Sequence, residues 1–98
     1  MNLNIDSVHF DADKKLIDFI EKKLNKLSKK QNDILGADIK LKLENTSDTK
    51  NKIAEIIIKV PGEDFFAKKQ SGTFEESVDT SISALEKQLI KYKDKTKR

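Results

Sequence analysis

The sequence predicts an α+β domain with the element order β-α-β-β-β-α, in which a four-stranded sheet carries two helices on one face. Three observations lead to this prediction: two stretches have apolar residues at helical spacing, one run alternates apolar and polar residues, and β-rich segments are separated by turn formers. With 98 residues, the chain has the length of one small domain, so we expect a single domain over residues 1–98.

The first half of the chain predicts a β-α-β unit. Residues 3–8 are typical of a short strand, and Asp13 is suited to cap a helix that begins at Lys14. Five apolar residues of this helix fall within an arc of roughly 100°: Leu16, Ile17, Ile20, Leu24 and Leu27. Gly36 indicates a turn, and the alternation over residues 37–44 predicts a half-buried strand. A right-handed crossover makes the two strands parallel.

The second half predicts a hairpin followed by a helix. Residues 53–60 are rich in β-branched side chains, residues 61–64 contain a Pro-Gly turn, and residues 65–70 supply the last strand. Thr73 and Glu76 form the pattern of a capping box at the start of the second helix. Its apolar residues cluster within an arc of roughly 80°: Phe74, Val78, Ile82, Leu85, Leu89 and Tyr92.

Positive charge is concentrated in two segments. Residues 14–30 and residues 87–98 each carry a net charge of +5, whereas the whole chain has a formal net charge of +3, so the remaining residues sum to −7. This segregation is typical of proteins that bind polyanions. The alternative is that the lysines only solvate helix faces. We expect residues 93–98 to form a basic C-terminal tail.

Helical wheels sort these lysines by position. On the first helix, one stripe beside the apolar face holds Lys15, Lys22, Lys26 and Lys29, and Lys23 and Lys30 flank that stripe on the core side. On the second helix, Lys87 and Lys91 share an outward strip, flanked by small residues that allow a phosphate backbone to approach: Ser77, Ser83 and Ala84. Lys93 and Lys95 extend its basic end. Two helices on one sheet face are expected to bring these stripes side by side as a basic ridge.

The chemistry of such a ridge favours nucleic-acid binding. Each neutralised phosphate releases counterions, which makes binding depend strongly on salt. Arg98 is the only arginine in the chain, so bidentate reading of guanine is not expected on the ridge. Recognition of RNA by its shape and backbone fits better than base readout.

Enzymatic and metal-dependent functions are disfavoured. The chain has no cysteine and a single histidine, His9, for which we expect a local structural role. Phosphate-binding glycine loops and nucleophile motifs are absent from the sequence. We therefore expect no enzyme, no cofactor, no metal and no small-molecule substrate. Neither a secretory leader nor a membrane-spanning apolar run is visible, so we expect a cytoplasmic location.

The motifs together resemble those of the ribosome hibernation-promoting factors, a family that includes ribosome-associated inhibitors and was once called sigma-54 modulation proteins. Residues 54–67, with Val60-Pro61-Gly62 before Phe65-Phe66, are similar to the family's central hairpin. Residues 71–79 are similar to the entry of its second helix, and residues 85–95 to its basic C-terminal signature. Family members often have glycine after the first strand, where this chain has Asp-Ser-Val at residues 6–8.

The resemblance implies a fold akin to double-stranded RNA-binding domains and a role in ribosome hibernation. Such a factor binds 16S ribosomal RNA in the decoding channel of the small subunit, where it overlaps the messenger and transfer RNA positions. We expect a short form of the family, monomeric when free, that acts in stationary phase and stress. With the helical wheels, the predicted RNA-binding residues are Lys22, Lys23, Lys26, Lys29, Lys30, Lys87, Lys91, Lys93 and Lys95.

Two other functions remain open at this point. One is a general double-stranded RNA-binding module. The other is a protein-interaction module that adds a strand to a partner's sheet edge, and its binding is expected to depend on Phe66 or Ile57 rather than on lysines. Phe65 and Phe66 are adjacent in a strand and are therefore expected on opposite faces of the sheet.

Overall fold

Four strands and two helices follow one another in the predicted order. The computed structural model describes residues 1–44 and 47–96, without the side chains of residues 95 and 96. The elements are β1 (Asn2–Val8), α1 (Lys14–Lys30), β2 (Gly36–Leu43), β3 (Lys52–Val60), β4 (Glu63–Ser71) and α2 (Phe74–Thr96). The predicted basic tail lies partly in α2, which includes residues 93–96; residues 97–98 lie outside the described residues.

The sheet has the strand order β1-β2-β3-β4. β1 and β2 are parallel, as the right-handed crossover through α1 predicts, and the other two neighbours are antiparallel. The hairpin between β3 and β4 is tighter than expected, because Val60 pairs with Glu63 and only Pro61 and Gly62 remain between them. Gly62 has a φ of 78°, a left-handed conformation that favours glycine.

Gly36 begins β2 instead of forming a turn before it. It is buried and pairs with Lys59 of β3 on one side and with Asn2, the first residue of β1, on the other. A Cβ atom at this position would lie 2.9 Å from the carbonyl oxygen of Asn2. Glycine is therefore required here for close backbone approach between strands.

One face of the sheet is covered by both helices and forms the core. Alternation along β2 and β3 places Ile39, Leu41, Ile56 and Ile58 on this face, and all four are buried. The helices add the apolar stripes that their periodicity predicted: Leu16, Ile20, Leu24 and Leu27 from α1, and Val78, Ile82, Leu85 and Leu89 from α2. The other face of the sheet is open.

Side-chain caps set the start of each helix. Asp13 accepts a hydrogen bond from the Leu16 amide at 2.9 Å, and Thr73 Oγ1 accepts one from the Glu76 amide at 3.1 Å. The Thr73 amide donates to Ser71 Oγ at 3.4 Å, so Ser71 occupies the place that a capping box gives to its glutamate. Both helices therefore begin where the sequence predicts.

A buried serine pair and two aromatic contacts hold α2 on the sheet. Ser77 Oγ donates to the Lys52 carbonyl at 2.7 Å and lies 2.7 Å from Ser71 Oγ. Phe74, in the first turn, stacks on Phe10 with ring centroids 4.5 Å apart. Near the other end of α2, Tyr92 makes an edge-to-face contact with Phe65, with ring centroids 5.5 Å apart. These contacts fix which flank of α2 faces β4.

The end of β1 differs from the glycine pattern of the resembling family. The strand continues through residues 6–8, and the left-handed conformation falls on His9, whose φ is 71°. His9 is exposed. Within the part of the chain that the structure describes, neither helix has the length and apolar character that a membrane-spanning segment needs.

Candidate nucleic-acid interface

Three of the predicted α1 lysines project from the domain. Lys22, Lys26 and Lys29 are exposed. Their spacing of four and three residues keeps them on one side of the helix, away from the buried leucines. None of these three makes an ion pair with another described residue. They are available to bind phosphate.

The other two α1 lysines pair with acidic residues of α2. Lys23 Nζ lies 3.0 Å from Asp79 Oδ1, and Lys30 Nζ lies 3.3 Å from Glu86 Oε2. Each pair joins residues that are 56 positions apart, and the two pairs are two helical turns apart on both helices. The helices therefore run side by side in the same direction, linked by two matched ion pairs.

These interhelical pairs are partly solvated. The side chains of Lys23 and Asp79 are 38% and 55% exposed, so the pair contributes about 0–1 kcal/mol to stability. The ammonium group of Lys23 also lies 5.6 Å from the ring centroid of Phe19. Lys23 and Lys30 are thus held in the groove between the helices, where Asp79 and Glu86 neutralise part of their charge; Lys26 also lines this groove but has no acidic partner among the described residues.

The α2 lysines lie on the opposite flank of that helix. Lys87 lines an open groove between α2 and β4 with Lys69, Thr80 and Ala84. Lys91 lies further along the same flank, beside Phe65 and Tyr92. The expected single ridge is therefore wrong in one respect: α2 separates the two lysine sets, because its acidic side faces α1.

The last two predicted lysines belong to the C-terminal end of α2. Lys93 lies near the end of α2 and is half-buried. Lys95 belongs to the same helix, but its side chain lies outside the described residues. Ser77, which was expected to flank the lysine strip, is fully buried in the hydrogen bonds that hold α2 on the sheet.

Lys69 is a basic residue of this surface that the sequence reasoning missed. It lies in β4 on the helix-bearing face, two residues after buried Ala67. Its neighbour Lys68 points to the open face, where it lies 4.0 Å from Glu55. Alternation along β4 could have placed Lys69 on this face, since residues two apart in a strand share a face and Ala67 faces the core.

The open face of the sheet has a different electrostatic character. Asp38 accepts a hydrogen bond from Asn4 at 3.2 Å and pairs with Lys59 at 3.0 Å. The hydrogen bond from Lys59 lowers the pKa of Asp38 below its ordinary value. Glu55 likewise lies between two lysines, 3.7 Å from Lys42 and 4.0 Å from Lys68. Much of the charge on this face is paired within the sheet.

The open face also presents the apolar pair that the sequence singled out. Phe66 and Ile57 are cross-strand partners on it, and Phe66 is 52% exposed. Phe65 lies on the other face against Tyr92, so the prediction that the two phenylalanines diverge is confirmed. Among residues 1–44 and 47–96, no cluster of three or more histidine or acidic side chains forms a candidate metal site.

Comparison with protein families identifies relatives over nearly the whole chain. Residues 3–97 match the family described as Sigma 54 modulation protein / S30EA ribosomal protein. This match confirms the resemblance inferred from the motifs.

Solved structures match the fold over nearly their full length. A ribosomal subunit interface protein from Coxiella burnetii has 26% sequence identity and a TM-score of 0.84, with 96% of this chain and 99% of that chain covered. The N-terminal domain of Thermus thermophilus Protein Y has 24% identity and a TM-score of 0.80, with 94% and 99% covered. The predicted β-α-β-β-β-α architecture is confirmed by both.

Proposed function

The chain belongs to the Sigma 54 modulation protein / S30EA ribosomal protein family, and from this premise we propose that it silences ribosomes by binding 16S ribosomal RNA in the decoding channel of the small subunit. Family membership makes it a ribosome-associated protein without enzymatic activity. The proposal adds the site on the ribosome, the RNA contact and the consequence for translation.

The observation that carries the proposal is the unequal distribution of charge between the two sides of the domain. The helix side presents exposed lysines without an ion pair to any described residue: Lys22, Lys26, Lys29, Lys87 and Lys91. The open sheet face instead pairs several of its lysines with Asp38 and Glu55. A polyanion is therefore expected to bind the helix side.

Binding in this account requires no chemistry. The lysine ammonium groups act as point charges on RNA phosphates, and affinity comes largely from counterion release. A domain held in the decoding channel occupies the positions of messenger RNA and of transfer RNA, so initiation is blocked by occupancy alone. The protein acts in the cytoplasm as a monomer, with ribosome occupancy that rises in stationary phase and stress.

The salt dependence of binding follows from the number of contacts. Each phosphate contact contributes about −0.7 to −0.9 to the slope of log affinity against log salt. One phosphate contact by each of the five lysines named above therefore predicts a slope of roughly −3.5 to −4.5. Affinity is expected to fall by roughly two orders of magnitude between about 50 mM and about 200 mM salt.

Co-sedimentation with purified 30S subunits over a salt series tests this proposal. The wild-type protein should pellet with 30S subunits at low salt, and charge reversal at Lys87 and Lys91 should weaken binding and flatten the salt slope. The matched control reverses Lys40 and Lys50, which are exposed elsewhere on the domain. A protein that stays in the supernatant at low salt, while a known 30S ligand pellets, refutes the proposal.

A general double-stranded RNA-binding module would differ from the proposed factor in its binding specificity. Such a module binds unrelated RNA duplexes as tightly as it binds 30S subunits, whereas the proposed factor prefers the subunit. Filter binding of labelled duplexes in competition with 30S subunits measures this preference.

The exposed Phe66 beside Ile57 favours a protein-interaction module as the second candidate. Binding by that module survives moderate salt and is lost in Phe66→Ala, because it depends on apolar contact. Part of the β4 edge is already engaged, since Gln88 Nε2 donates to the Phe66 carbonyl at 3.2 Å. This contact disfavours strand addition at that point.

A further inference from the structure

The groove between α2 and β4 combines basic charge with small side chains. Its volume is about 510 Å³. Lys69 and Gln70 line it from β4, and the facing turns of α2 contribute Glu76, Thr80, Ala84 and Lys87. Small residues on the helix leave room for a narrow chain to approach the groove floor. Further along the same flank of α2, Lys91 adds a third lysine.

The lysines of this groove are less neutralised than those between the helices. Lys69, Lys87 and Lys91 make no ion pair within residues 1–44 and 47–96. By contrast, Lys23 and Lys30 have acidic partners at 3.0 and 3.3 Å. A phosphate must compete with a carboxylate for Lys23 and Lys30, whereas the lysines on the β4 flank have no acidic partner among the described residues, although Glu76 also lines that groove.

The groove also provides an uncommitted hydroxyl. Ser83 is exposed and lines the groove, and its side chain makes no hydrogen bond to another described residue. Thr80 differs, because its hydroxyl donates to the Glu76 carbonyl at 2.8 Å. Lys87 and Lys91 are one turn apart, separated by about 6 Å along the helix axis. Donors thus follow one another along the flank.

We propose that the α2–β4 groove is a phosphate-binding track for one RNA strand, with Lys69 as a contact residue beside Lys87 and Lys91. This inference rests on the proposed function and deepens it, since it assigns the principal backbone contact to the β4 flank of α2. In the complex, Lys23 and Lys30 stay paired with Asp79 and Glu86. The occupant is a single phosphodiester backbone, because the donors form a line of point charges rather than a base-reading array.

Lysine acetylation footprinting tests the assignment in the wild-type protein. The free protein and its complex with purified 30S subunits are treated briefly with an acetylating reagent, and each lysine is quantified by mass spectrometry. Lys69 and Lys87 should be protected severalfold in the complex. Lys68 is the matched control, because it is the next residue of the same strand, is also exposed, and lies on the open face.

A salt series with single variants distinguishes RNA contact from contact with ribosomal protein. Lys69→Gln should reduce the magnitude of the salt slope by about 0.7–0.9, the contribution of one phosphate, whereas Lys68→Gln should leave it unchanged. Both substitutions are at exposed positions, so both variants are expected to fold. Their circular dichroism spectra check this directly.

The outcomes separate this inference from the function on which it rests. Equal acetylation or equal salt slopes for Lys69 and Lys68, in a protein that binds 30S subunits, overturn the groove assignment and leave the proposed function standing. Protection of Lys69 with an unchanged slope in Lys69→Gln indicates a ribosomal protein in the groove and also overturns the assignment. A wild-type protein that does not bind 30S subunits overturns both proposals.

Discussion

The ion pairs between α1 and α2 predict that removing an acidic residue strengthens ribosome binding. Asp79 lies 3.0 Å from Lys23 and holds part of its positive charge. In Asp79→Asn, the lysine is released and a negative charge that repels phosphate is lost. The variant should therefore bind 30S subunits more tightly than the wild type, although it loses an interhelical contact.

The magnitude follows from the exposure of the pair. A half-exposed ion pair contributes about 0–1 kcal/mol, which corresponds to a factor of up to about five in affinity when the lysine is freed. The freed lysine gains one phosphate contact, so the salt slope should steepen by about 0.7–0.9. The stability of the domain should fall by no more than about 1 kcal/mol.

Fluorescence anisotropy of labelled protein with 30S subunits measures both quantities, and urea denaturation measures the stability. Asp18→Asn is the matched control, since it removes the same charge from an exposed position on α1. Tighter binding in Asp79→Asn than in Asp18→Asn indicates that the ion pair with Asp79 restrains Lys23. Equal affinities and slopes for the two variants would show that the ion pair does not restrain Lys23.

Two further predictions concern the domain itself. Ser77→Ala should destabilise the domain by about 1–3 kcal/mol, because it removes a fully buried hydroxyl that donates to the Lys52 carbonyl. The exposed Ser83→Ala should change stability little in urea denaturation, and equal midpoints for the two variants contradict the role of the serine pair. The pKa of Asp38 is lower in the folded protein than its ordinary value of 3.8, so the ionised carboxylate stabilises the fold at pH values above 3.8. This contribution is lost as the pH falls through the lower folded-state pKa. Urea denaturation at neutral pH and at a pH below 3.8 should therefore show a smaller acid-induced loss of stability in Asp38→Asn than in the wild type, and an equal loss argues against the Asp38–Lys59 contribution.

Local patterns were sufficient to predict the elements of the fold. The helix starts follow from Asp13 and Thr73, whose side chains accept amide hydrogen bonds at the predicted positions. The apolar stripes predicted which residues are buried, because a helix on a sheet has one face toward the core. The parallel pairing of β1 and β2 followed from their connection through the helix between them, because a crossover of this length joins parallel strands.

Close contacts between backbones could not be predicted from these local patterns. Gly36 looked like a turn residue, but its lack of a Cβ atom serves strand pairing next to Asn2. The start of β4 was placed too late, because Glu63 and Asp64 are polar, exposed residues without an alternating pattern. They pair with β3 because the Pro-Gly turn has only two residues, and composition alone does not predict the length of that turn.

The arrangement of the candidate site depends on how α2 is rotated against its neighbours. A helical wheel assigns each lysine to a side of its own helix, but it does not say which side faces α1. The sheet contacts of Ser77 and Tyr92 set that rotation. They turn Asp79 and Glu86 toward α1 and Lys87 toward β4, which divides the expected ridge and brings Lys69 into the surface.

We propose that the helix side of this domain binds 16S ribosomal RNA in the decoding channel. Electron cryo-microscopy of the protein bound to purified 30S subunits tests it most directly. We expect density for the domain in the channel, overlapping the messenger and transfer RNA positions, with Lys87 and Lys22 facing RNA and Phe66 turned away. Density on the outer surface of the subunit, or a domain bound through its open sheet face, would contradict it.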